Sequence, residues 1–133
     1  MRAPAVVLAE YVGLLTMRST DALYAEQDDL WALGEQGRQH TYEDFGHHFR
    51  VLAALDADIF ATHVRYCVDL FDKRGFPQRW LEDAWRIMAH TIDVELPGDV
   101  ADLATATMTV GLRAAKPNTD APVLRAELPP RPA

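Results

Sequence analysis

The sequence predicts an all-α domain of about six helices over residues 1–115, followed by a Pro-rich flexible tail at 116–133. Three observations lead there. Apolar residues recur at i, i+3, i+4 and i+7 through most of the chain, the spacing that puts them on one face of a helix. Sustained apolar–polar alternation with hairpin turns, the mark of strands, does not occur. Gly, Pro and short acidic stretches fall where helices of ordinary length should end.

Leu8, Tyr11, Val12 and Leu15 give the first helix its apolar face. The stretch "RSTD" should break it, with Ser19 or Thr20 capping a second helix that reaches about Leu33. "GEQGRQ" then reads as a loop. Thr41 caps the third helix, whose first turn carries Glu43 and Asp44, and which ends near Leu55. "DAD" turns the chain and Asp58 caps the fourth helix. Gly75 closes that helix and Pro77 opens the fifth at its first position. The fifth ends at "LPGD", where Asp99 caps a sixth running to about Ala115. The tail, "KPNTDAPVLRAELPPRPA", holds five of the eight prolines and cannot continue a helix; its "VLRAEL" is a segment able to dock.

Composition narrows the function. The net charge is −7, and the 13 Lys and Arg are scattered, which argues against nucleic acid as a partner. No apolar stretch approaches the ~20 residues of a membrane span. Glu10 interrupts the apolar N-terminal run, so a signal peptide is not expected, and a cytoplasmic location is. A single cysteine, Cys67, excludes an intramolecular disulfide framework and any multi-cysteine metal site.

The histidines carry the remaining information. On the third helix Tyr42, Phe45, Phe49 and Leu52 define the core face. His48 lies on its flank, and His47 points to solvent with Glu43 and Arg50. The fourth helix bears two apolar stripes, Phe60–Val64–Cys67–Phe71 and Ile59–His63–Tyr66–Leu70, and should sit centrally. On the fifth, Leu81, Trp85, Met88 and Ile92 face inward, with His90, Asp83 and Arg86 opposite. His48 and His63 stand at similar distances on either side of "DAD", so antiparallel packing brings them to one level. Two readings follow. They are buried histidines bonded to a carbonyl or a hydroxyl such as that of Tyr42 or Tyr66, or they contact a ligand, a cofactor or a proton signal. The candidate ligand-binding set is His48, His63, Tyr66, Phe45, Phe49 and Cys67. No metal site is expected, because Glu43, His47, His90 and Asp93 all compute as outward. No catalytic motif occurs, so no catalytic residue is assigned and an enzyme is not expected.

The stretch from His47 to Pro97 resembles the helical N-terminal region of bacterial cobalamin-binding regulators. The shared positions are His47, His48, Phe60, His63, Val64, Tyr66, Arg74, Gly75, Pro77, Leu96 and Pro97. In that family the cobalamin pocket belongs to a downstream domain with a D-x-H-x-x-G loop, which this sequence lacks. The resemblance implies a sensory or interaction module detached from its cobalamin domain. Helix count and length also suit globin-like sensor domains of bacterial stress regulators. The expectation is therefore a non-enzymatic sensor or regulatory module, globin-like or an antiparallel bundle. It would act through helix-face contacts with a protein partner or itself as a homodimer, with the first helix contributing. A small ligand would lie between the third and fourth helices. The second expectation is a protein that binds haem or another tetrapyrrole through His48 or His63.

Overall fold

The computed structural model describes residues 2–116, and the sequence-predicted tail lies outside them but for Lys116. The described chain is all-helical: α1 (Pro4–Glu26), a 3-10 helix (Asp28–Leu33), α2 (Gly34–Leu52), α3 (Ala57–Arg74), α4 (Gln78–Glu95) and α5 (Gly98–Ala115). Five α-helices form, where six were expected. "RSTD" does not break α1, because its hydroxyls are satisfied inside a helix. Thr20 Oγ1 donates to the Thr16 carbonyl at 2.8 Å, and Ser19 Oγ donates across to Thr91 Oγ1 on α4 at 3.2 Å. Ser19 and Thr20 are fully buried. Ser19 thereby joins α1 to α4, and Thr20 bonds back within α1, where capping would have ended the helix.

The same physics moves the start of α2. "GEQGRQ" forms its first turns, and Thr41 lies well inside it, donating to the Gly37 carbonyl at 3.1 Å. Asp56, not Asp58, caps α3: Asp56 Oδ1 accepts from the amides of Asp58 at 2.9 Å and Ile59 at 3.0 Å. Gly75 ends α3 in the left-handed region, φ 71°, as its type suggests. Pro77 is the extended residue before α4, one position ahead of the expected N1. Likewise Pro97 precedes α5, and Asp99 sits in its first turn without capping it.

α1 packs along α2 and α4, while α3 packs along α5, which also meets α4. The core is built from Leu8 and Leu15 of α1, Phe45 and Phe49 of α2, Phe60 of α3, Trp85 and Met88 of α4, and Met108 of α5. α4 buries the broadest face. α3 is less central than its two stripes implied: Phe60, Val64 and Cys67 are buried with His63, but Ile59 and Tyr66 are exposed. Gly111 lets α3 and α5 approach, since a Cβ there would fall 2.9 Å from Phe60 Cδ2 and 3.0 Å from the Ala57 carbonyl. Asp83, expected to face water, is buried. It accepts from Gln27 Nε2 at 2.6 Å and from Arg86 Nη2 at 3.3 Å, and Arg86 also pairs with Glu26. Among the described residues no helix is long and apolar enough to cross a membrane.

Candidate functional site

The turn at residues 53–56 lets α3 pack against α2, and this brings His48 against His63. His48 Nδ1 and His63 Nε2 are 2.7 Å apart, a hydrogen bond between two rings on different helices. One nitrogen donates and the other accepts, according to the tautomer. Cys67 follows His63 by one helical turn, so both side chains leave the same face of α3. Its Sγ lies 3.5 Å from His63 Nε2. All three side chains are buried, and one ligand atom from each lies within 4.8 Å of the others.

Aromatic rings enclose the pair. The Trp85 ring stands 4.8 Å from that of His48, and the Phe45 ring meets it edge-on at 6.2 Å. Phe60 lies 6.3 Å from the His63 ring. His47 is exposed, as its helical position suggests, yet its ring centroid is only 5.0 Å from that of His63. It therefore borders the site instead of pointing clear of it. Tyr42 and Tyr66 are 38% and 60% exposed, and neither supplies the hydrogen bond the sequence suggested. The histidines satisfy one another instead.

Burial decides the protonation states. It pushes His48 well below the usual imidazole value, with the charges of His63 and His47 adding to the effect. Burial, then His47, lowers His63 to about 4. Burial, then the negative charge of Asp44, raises the Cys67 thiol to about 12. At neutral pH the cluster is thus two neutral imidazoles and a protonated thiol. The Asp44 carboxyl is itself raised, chiefly by partial burial and then by Glu43, against His40, Arg74 and His47, which lower it.

Two cavities meet here. The larger, about 620 Å³, lies between the end of α1, the 3-10 helix, α2, the end of α3 and the start of α4. Leu23, Leu30, Phe45, Phe71, Phe76, Trp80 and Leu81 form its apolar walls, with Gln27, His40, Asp44 and Arg74 among its polar groups. The smaller, about 230 Å³, is bordered by Asp44, His47, His48, His63, Tyr66 and Cys67. His48 lines both.

The structure thus gathers His48, His63 and Cys67 and sets Phe45 in the larger cavity and Tyr66 at the edge of the smaller. Phe49 is fully buried and lines neither. Asp44, Arg74, Phe76 and Trp80 were not singled out in the sequence as site residues. The available signal was "RGFP": the left-handed Gly75 folds Phe76 back onto Phe71, ring centroids 5.4 Å apart, and beside Trp80 at 5.6 Å. That stretch was legible as helix punctuation, and its contribution to a wall was not.

Comparison with protein-family models, curated proteins and solved structures gives no match for this chain.

Proposed function

We propose that the chain is a non-enzymatic sensor or regulatory module, a globin-like or bundle-like helical domain that takes a small, largely apolar ligand in the larger cavity. One observation carries the reading. Buried His48 stands in the wall of that cavity and is hydrogen-bonded to His63 on the next helix. An occupant that touches His48 acts on the α2–α3 contact, and α3 packs along α5. A ligand shifts an equilibrium only through contacts that differ between two states, and this wall provides such a contact. Aromatic walls with a few convergent polar groups suit an aromatic or elongated apolar molecule with one polar end. The resemblance to the helical region of cobalamin-binding regulators favours the same role. The output would be a helix-face contact with a protein partner or a second copy, in the cytoplasm. Val6 and Met17 on α1, 48% and 42% exposed, offer apolar surface for it.

A buried histidine between aromatic walls also supports the second reading, a haem or other tetrapyrrole site through His48 or His63. One experiment addresses both. Metal-free chain is titrated with haem, with cobalamin and with a panel of aromatic carboxylates, reading absorption, thermal midpoint and sedimentation. Thermal stabilisation by a carboxylate, abolished by the cavity-filling Ala84→Trp, supports the sensor. A Soret shift lost in His63→Ala supports the tetrapyrrole. No response to any of them removes the ligand from the reading.

A further inference from the structure

We propose that His48, His63 and Cys67 form a binding site for a thiophilic transition-metal ion of the zinc class, with its open coordination position facing the smaller cavity. The proposal shares His48 and His63 with the apolar-ligand reading, but it rests on their donor atoms and on Cys67 and stands without an occupant in the larger cavity.

The donor set is the first argument. Two imidazole nitrogens and a sulfur select borderline and soft ions such as Zn²⁺ or Cu⁺ over Mg²⁺ and Ca²⁺, which demand oxygen. Geometry is the second. Tetrahedral bonds of about 2.0–2.1 Å to nitrogen and 2.3 Å to sulfur put nitrogen and sulfur about 3.6 Å apart, and two nitrogens about 3.3 Å apart. His63 Nε2 and Cys67 Sγ already stand at 3.5 Å. His48 Nδ1 and His63 Nε2, at 2.7 Å, need to part by about 0.6 Å as the metal replaces their hydrogen bond. The third edge, from His48 to Cys67, reaches up to 4.8 Å and has to close towards about 3.6 Å, so His48 must swing towards Cys67 as it parts from His63. The residues around the donors are the third argument. Asp44 borders the smaller cavity and carries a negative charge towards the ion, and His47 lies next to His63. Three protein donors leave the fourth position to water or to His47.

Proton balance follows from the chemistry. The Cys67 thiol forms its bond to the metal by releasing one proton to solvent. The proton held between the imidazoles moves to the other nitrogen of the donor ring, leaving both facing nitrogens with free lone pairs. Nothing is oxidised or reduced. Each ion bound near neutral pH therefore frees one proton.

The test uses full-length, tag-free chain stripped with a chelator and titrated with Co²⁺, a coloured substitute for Zn²⁺. One equivalent should produce a thiolate-to-cobalt charge-transfer band and visible bands of tetrahedral intensity. Stoichiometric Zn²⁺ should erase both, and a dye in weak buffer should record one proton released. Cys67→Ser should lose the charge-transfer band, and His63→Gln should weaken binding at least tenfold, each with its helical circular dichroism intact. His90→Ala should bind as the parent does. Absence of the bands, persistence of the charge-transfer band in Cys67→Ser, or binding without proton release would overturn the site. The charge-transfer band needs no variant, because Cys67 is the single cysteine, so band and proton count together decide the matter even if both substitutions unfold the chain. The apolar-ligand titration is run on metal-free chain, so failure of either reading leaves the other standing.

Discussion

Two imidazoles facing each other at 2.7 Å can share one proton but cannot both accept another without repulsion in a buried setting. Their folded-state values lie below the ordinary 6.5, His63 at about 4. The folded chain then binds fewer protons than the unfolded chain across that interval, so stability rises with pH through it. In chelator-treated protein the pair's contribution is complete above pH 6.5 and is lost as pH falls towards 4. His47 and Asp44 on α2 and Cys67 on α3 border the same space, and the charge of His47 adds to the lowering of both rings. Melts followed by circular dichroism should show the midpoint dropping in that window, with a shallower drop in His63→Leu. A flat profile would show that the pair does not titrate on unfolding as its burial requires. The convergence of His48 and His63 was readable from helical angle and distance to the turn. The reach of the His47 ring was not, because a wheel gives the direction of Cβ and not where a long side chain ends.

At the scale of elements, the hydroxyl and carboxylate positions were the ambiguous letters. Ser19, Thr20 and Thr41 all resemble caps, and each satisfies its hydroxyl in mid-helix. Sequence cannot separate the two uses when the partner, Thr91, is 72 positions away from Ser19. Asp56 and Asp58 are two residues apart and only one bonds the free amides of α3. Replacing Asp56 with Ala should cost ~1 kcal/mol in urea unfolding, as loss of a cap does. Replacing Asp58 should cost only a few tenths, from its dipole interaction in the first turn. Equal losses would contradict the assigned cap. Gly75 and the boundaries at Pro77 and Pro97 were legible to within a residue, because φ > 0 and a missing N–H leave few alternatives.

For the molecule as a whole, the all-α class was legible because periodicity is a property of every segment. The cavities were not, because their walls come from five segments that meet only after folding. Asp83 shows the same limit: it sits on the polar side of α4 by sequence, yet the end of α1 lays Gln27 and Glu26 across it and Arg86. The 3-10 helix Asp28–Leu33 that follows buries little, and its Trp31 is held edge-on to Tyr24 at 4.9 Å between ring centroids. Only Leu30 is buried there, while Trp31 and Leu33 are 49% and 56% exposed. Short 3-10 bonding and little burial place it at the low end of local stability. Its amides should exchange with deuterium before those of α4, through openings that leave the rest of the fold closed. Hydrogen exchange by mass spectrometry would show this, and uniform protection would refute it. Leu30 and Leu33 line the larger cavity, so an occupant there would hold this turn shut and slow its exchange.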